Sequence, residues 1–212
     1  RKGSNMSTSN LKKASLAAGA VATVSATTQA ARRQNRGLNR LIRRIKSSDA
    51  ETRTDAWQSA GDIGAPAVRR LALVMTDADL EVARAAKRAM WKIVRHTGRP
   101  GAPKAKTAVV GELCGLLGAD QPVSVRREVL WMLSEIGGMR AIRPIAELLS
   151  DEHLREDARM ALERIPIKQA VQALKAGFER APEEFKPNLA QSLRKRGVKV
   201  EDYPCVKLVP TK

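Results

Sequence analysis

AIRPIAELLSDEH, residues 141–153, opens on a small residue, carries apolar side chains at helical spacing and reaches an aspartate. Four other stretches follow the same outline: GLNRLIRRIKSSD (37–49), AVRRLALVMTDAD (67–79), AVVGELCGLLGAD (108–120) and AVQALKAGFERAP (170–182). Their starts lie 30, 41, 33 and 29 residues apart. Four of the five reach an aspartate (Asp49, Asp79, Asp120, Asp151), and an arginine follows soon after each (Arg53, Arg84, Arg126, Arg155). Self-similarity at this period predicts stacked helical hairpins, because one hairpin cannot bury its apolar face alone. The expected fold is all-α, a solenoid of about five hairpins.

The helix signals give the hairpins their bounds. The expected pairs are 38–46 with 51–63, 66–76 with 80–95, 107–117 with 123–136, 140–150 with 154–165, and 167–180 with 183–196. Aspartates stand where second helices begin and glycines or prolines where they end. Pro187 falls inside its helix and strains that assignment. The long interval is assigned to HTGRPGAPKAK (96–106), read as an inserted surface loop. Insertions in solenoids collect on one face, often the working one. The tail VKVEDYPCVKLVPTK (198–212) turns to β-forming residues, and its expected role is to lie extended across the last hairpin as a cap. The expected organisation is a basic arm at 1–36, a repeat domain at 37–197 and the tail at 198–212.

The net charge of +17 is unevenly placed. Residues 1–48 hold eleven lysines or arginines and no acid, which leaves 28 bases against 22 acids in the rest. The arm is flexible or helical. A positive arm of this kind attracts polyanions, either nucleic acid or an anionic surface, or else keeps the chain solvated. Lys12 and Lys13 before an Ala/Val-rich stretch give residues 6–30, from Met6 to Ala30, the outline of an export signal. The stretch is weakly hydrophobic, and Arg32, Arg33 and Arg36 follow it, so a cytoplasmic location is favoured and export is the alternative. The stretch is too short and polar to span a membrane. Cys114 reads as a buried small hydrophobe, and Cys205 lies in the tail. Neither forms part of a disulfide framework or zinc cluster. His96 and His153 are isolated residues at helix ends.

The segment VRREVLWMLSEIGGMRAIRPIAELLSDEHLREDARMALERI (125–165) resembles HEAT-like repeats of the phycobilisome-lyase type, which are common in bacterial proteins. The segment TRTDAWQSAGDIGAPAVRRLALVMTDADLEVARAA (52–86) resembles them less cleanly, and the likeness covers about 37–196. The resemblance implies right-handed stacking with second helices lining the inner surface. It implies a protein-binding role most often, and in a few members a chromophore lyase or DNA glycosylase.

The arginines Arg53, Arg84, Arg126, Arg127, Arg155 and Arg159, with Lys87 and Arg88, all fall on second helices. They read as a structural ladder between units or as an inner ridge of charge. Trp57, Trp91 and Trp131 sit on the same helices, packed between them or ready to anchor a partner. The candidate partner-binding set is Arg53, Trp57, Arg84, Lys87, Arg88, Trp91, Arg126, Arg127 and Trp131. The candidate anion contacts are Arg32, Arg33, Arg36, Arg40, Arg43, Arg44, Arg99, Lys104 and Lys106. A glycosylase would need an acid beside aromatics, and only Asp55 and Asp62 near Trp57 offer one. No catalytic or metal-binding constellation is present in the sequence, and no cofactor is expected. The expected function is a non-enzymatic protein-binding scaffold. The alternative is a nucleic-acid-binding module using the arm and the inner arginines.

Overall fold

The computed structural model describes residues 28–204. Ten helices follow one another there. α1 covers 28–45. α2 (Ala50–Ser59) runs on into a 3-10 turn at Ala60–Asp62, and α3 (Ala65–Val74) and α4 (Leu80–Gly98) follow. Next come α5 (Pro103–Gly115), α6 (Val123–Ile136), and α7 (Met139–Glu147) with a 3-10 turn at Leu148–Ser150. α8 (Arg155–Arg164), α9 (Lys168–Arg180) and α10 (Lys186–Lys195) complete the series. The described residues contain no strand, and no helix among them is long and apolar enough to cross a membrane.

Helices two apart in the chain pack side by side. α2 lies on α4, α4 on α6, α6 on α8 and α8 on α10, while α3 lies on α5, α5 on α7 and α7 on α9. Across the layers α3 meets α4, α5 meets α6, α7 meets α8 and α9 meets α10. The chain is therefore an α-solenoid of two layers, in which each unit touches only its neighbours. The apolar core runs unbroken from Leu38 to Leu193. Fully buried Ile45, Leu71, Ile93, Leu113, Leu133, Ile145 and Leu162 mark its course. Each such side chain contributes about 1.5–3 kcal/mol. Alanines at the crossings, such as Ala56, Ala60, Ala86, Ala89, Ala158 and Ala161, let the helices approach closely.

Helix starts follow the sequence signals in part. Asp49 Oδ2 accepts from the Thr52 N–H at 2.7 Å, and this partnership with Thr52 holds its carboxyl below the ordinary carboxylate range. Asp79 Oδ1 accepts from the Glu81 and Val82 N–H groups at 2.8 and 3.3 Å. Asp120, expected as a cap, is not one. α6 begins behind Pro122, and the Asp120 carboxylate takes a bond from the Gln121 amide instead. Asp151 is four residues short of α8. It accepts from the His153 N–H at 3.0 Å and pairs with Arg126 at 3.1 Å.

The expected insertion at 96–106 is mostly helix. Buried Thr97 turns its hydroxyl onto the Ile93 and Val94 carbonyls at 2.9 and 3.1 Å, and α4 continues to Gly98. Pro103 then opens α5, leaving a short connector. Pro187 falls in the first turn of α10, where its missing N–H costs nothing. α1 crosses the expected boundary at residue 36 without a break, so the described part of the arm is helix. Residues 198–204 cover the last hairpin. Arg194 holds the Val200, Asp202 and Tyr203 carbonyls at 2.6–3.2 Å, and Tyr203 sets its ring edge-on to Phe178. Cys205, the rest of the tail and most of the signal-like segment at 6–30 lie outside the described residues.

Arginines tie turns to helices within a unit and, at Arg126 and Arg155, one unit to the next. Arg53 donates to the Ser47 and Ser48 carbonyls at 2.7 and 2.8 Å. Buried Arg126 donates to the Leu117 carbonyl at 3.1 Å as well as pairing with Asp151 of the next unit. Arg155 reaches Glu184 at 3.3 Å and lies over the Phe185 ring. Arg84, like Arg53, stays within its own unit, pairing with Glu81 of its own helix. Arg126→Ala should lower stability by about 2–4 kcal/mol, because it strands the Leu117 carbonyl and Asp151 together. Arg143→Ala removes an ion pair whose arginine is 90% exposed and should leave the urea-unfolding midpoint unchanged.

Candidate functional site: the groove between α2 and α4

α2, α4, α6, α8 and α10 form one layer, and all three tryptophans stand on it. Trp131 Nε1 on α6 donates to Asp157 Oδ1 on α8 at 3.1 Å. Arg127 Nε reaches the same carboxylate at 3.0 Å, and Arg127 also donates to the His153 carbonyl. One junction earlier, Trp91 Nε1 on α4 donates to Glu128 Oε1 on α6 at 2.5 Å, and Lys87 Nζ lies 2.6 Å from Glu128 Oε2. At two successive junctions, then, an indole N–H and a cation from one helix converge on a carboxylate of the next. Such charge-assisted bonds are roughly twice as strong as neutral ones.

The α8–α10 junction is neutralised differently. Glu163 on α8 accepts from Ser192 Oγ at 2.6 Å and pairs with Lys195 and Arg159 at 2.6 and 2.9 Å. Asn188 donates to Glu156 at 3.1 Å. Burial pushes the Glu163 carboxyl up, but the bonds from Lys195 and Ser192 outweigh it and leave it below its ordinary value. The Arg159 hydrogen bond similarly holds Glu156 down.

The α2–α4 junction has no such carboxylate. The one acidic residue of α4 is Glu81, in its first turn and occupied by Arg84. Trp57 Nε1 on α2 is buried and has no hydrogen-bond partner among the described residues. Beside it opens a groove of about 760 Å³. Arg84, Arg88, Trp91 and Arg95 recur at steps of four, three and four, which places them in one row along α4. Lys87, Lys92 and His96 flank the row, and no carboxylate lines the groove. Arg95 stacks 5.4 Å over the Trp91 ring. Exposed Arg88 and Lys92 have no acidic partner among the described residues.

The local sequence explains why the two helices meet so closely here. Gly61 lies directly against His96, and a β-carbon at that position would come within 2.9 Å of His96 Cβ. Gly64, at φ 67°, then makes the turn into α3, a conformation that favours glycine.

Five candidates are thus brought together: Trp57, Arg84, Lys87, Arg88 and Trp91. Four are placed elsewhere. Arg53 and Arg126 are bound to carbonyls, while Arg127 and Trp131 are bound to Asp157. Lys92 and Arg95, which are not among the candidates, also line the groove, as does His96, expected only as an isolated helix-end residue and the first of the 96–106 segment. The four–three–four spacing from Arg84 would have found Arg95. Arg99 donates to the His96 carbonyl at the end of α4, Lys104 and Lys106 lie in the first turn of α5, and none of the three lines the groove. Asp55 pairs with Arg44 at 3.2 Å, and the Asp62 carboxylate lies 3.9 Å from His96 Nε2, outside the lining.

Residues 125–151, spanning α6 and α7, match the family model of the PBS lyase HEAT-like repeat. The α6–α7 unit of this solenoid is thus HEAT-like. None of the curated proteins matches the chain. Among solved structures it is similar to a designed armadillo repeat protein in complex with the peptide (KR)4. The two are 19% identical over 74% of this chain and 81% of that one, with a TM-score of 0.42. It is similar also to computationally designed armadillo repeat proteins for modular peptide recognition, at 20% identity, 74% and 81% coverage and a TM-score of 0.42. An engineered protein matches at 23% identity, 74% and 78% coverage and a TM-score of 0.39.

Two outcomes test this description of the layer. Trp131→Phe loses a bond to a carboxylate and should cost about 1–2 kcal/mol in unfolding free energy, whereas Trp57→Phe deletes an N–H without a partner and should cost less. The Glu156 and Glu163 carboxyls sit below their ordinary value of 4.5 in the fold. Their stabilising contribution is therefore present above that pH and is lost as the pH falls through the folded values. Amide protection factors across α8–α10, measured relative to the intrinsic exchange rate at each pH, should fall below about pH 4.5.

Proposed function

We propose that this HEAT-like solenoid is a non-catalytic binding scaffold, and that the α2–α4 groove receives an acidic segment of a partner protein. One observation carries the reading. The layer twice seats a carboxylate between an indole N–H and a cation, with Trp91 and Lys87 on Glu128 and with Trp131 and Arg127 on Asp157. At the α2–α4 junction the indole N–H of Trp57 stands on α2 and the cations Arg88 and Lys92 stand across from it on α4, while Arg53, the α2 cation four residues before Trp57, is bound to carbonyls and α4 supplies no acceptor. A carboxylate from a partner completes that arrangement. The indole faces beside it give apolar area for an aromatic or aliphatic neighbour in the partner, and Trp and Arg are the residue types that dominate binding energy at interfaces. A buried donor without an acceptor costs about 1–3 kcal/mol, so a partner that supplies one is favoured over a shape-matched neutral one.

The test uses the full chain and a labelled peptide that alternates glutamate with leucine or phenylalanine, followed by fluorescence anisotropy and tryptophan emission. The acidic peptide should bind at least tenfold more tightly than its glutamine analogue, and Arg88→Glu with Lys92→Glu should abolish the difference. Trp57→Phe should weaken binding several-fold with the fold intact. Equal affinity for the two peptides would overturn the reading, as would an unchanged affinity in the double charge reversal.

A further inference from the structure

α1 carries a second basic surface, separate from the groove. Its six arginines fall on one side. At about 100° per residue, Arg32, Arg36, Arg43, Arg40, Arg33 and Arg44 occupy an arc of about 120°. Leu38, Leu41 and Ile45 occupy the opposite side and are buried in the core. Residues 28–36 are exposed throughout, so the first turns of α1 stand clear of the layers. Arg44 is tied to Asp55, but Arg32, Arg33, Arg36, Arg40 and Arg43 have no acidic partner among the described residues. From Arg32 to Arg43 the row is about 16 Å long and carries five arginines over about three turns.

We propose that this row binds the phosphodiester backbone of a nucleic acid, without reading its sequence. Three features fit that ligand. Guanidinium groups grip phosphate oxygens as forks of donors, and here every cation in the row is an arginine. The row is solvated, α1 carries no aromatic ring on which a base could stack, and the small cleft that Arg40 and Arg44 border is lined by Leu41, Ala56 and Ile63 beside the Asp62 carboxylate, so its contacts go to the backbone. Gln34 and Asn35 lie between the arginines and Thr28, Gln29, Ala30 and Ala31 precede them, a mainly polar and wholly exposed setting that suits a polar ligand.

A membrane surface fits less well. A helix that lies in a bilayer needs a free apolar face to sink among the acyl chains, and the apolar face of α1 is already spent on the core. An acidic protein segment is also less suited, because the free turns at 28–36 offer it no apolar side chain larger than alanine, and the cleft beside Arg40 and Arg44 already holds the Asp62 carboxylate.

The experiment measures anisotropy of a labelled duplex DNA and a single-stranded RNA of unrelated sequence, against the full chain, over a range of salt. Both should bind, and the affinity should fall steeply with salt. Arg32→Gln, Arg36→Gln and Arg43→Gln together should weaken binding at least tenfold at low salt. They should also lower the slope of log K against log salt by about two to three for duplex, close to one per lost phosphate contact. The same three positions as lysine should retain most of the slope, which separates charge from helix content, and circular dichroism confirms that the helix persists in both variants. Arg88→Glu with Lys92→Glu should leave the α1 contribution to the slope in place, so this result stands apart from the fate of the groove. An unchanged slope in the glutamine variant would overturn the proposal. So would tighter binding to vesicles of phosphatidylcholine and phosphatidylserine than to either nucleic acid, or no binding to nucleic acid at low salt.

Discussion

An isolated helix pair of this chain would leave an apolar stripe open to water on each side. Stacking alone covers both stripes, and each layer is built by placing a helix against the one two positions before it. That requirement fixes the period of the sequence, the alanines at the crossings and, among the described residues, the absence of substantial contacts between distant units. It also explains why the chain needs a finish at its far end, where Val198, Val200 and Tyr203 fold back over α9 and α10.

Polar groups do a separate job at the seams. Apolar stacking is indifferent to small sliding movements, whereas a carboxylate seated between two donors is not. Glu128, Asp157 and Glu163 set the register of successive helices on one face, and Arg126 does so in the turns. The Cys114 thiol contributes weakly in the same way. It lies 4.0 Å from the Arg140 carbonyl, the acceptor that Pro144, with no N–H of its own, cannot reach. The α2–α4 seam departs from this scheme, and it is there that the groove opens.

The stack was legible in the sequence because its signals are local and repeated. The apolar spacing, Asp49 and Asp79 as caps and Gly64 as a turn are written within single hairpins. Residues 96–106 misled because glycine, proline and charge suggest a loop, while the residue that kept α4 going was Thr97, which satisfied its hydroxyl on its own helix. Asp120 misled because Pro122 can start a helix without help. The groove was legible only in part. The sequence shows tryptophans and arginines on second helices, but whether an arginine is free depends on which carboxylate faces it from another unit. Arg127 and Arg88 look alike in sequence, and only Asp157 distinguishes them.

Gly61 has a consequence for geometry that reaches past its own turn. With hydrogen in place of a side chain, the 3-10 turn can lie flush on the His96 ring, and the distance between α2 and α4 is set by that contact. A larger residue would act as a wedge. It would splay the first hairpin from the second and separate Trp57 from the cationic row of α4. One missing methyl group therefore gauges the width of the cleft, in a position that touches nothing bound within it.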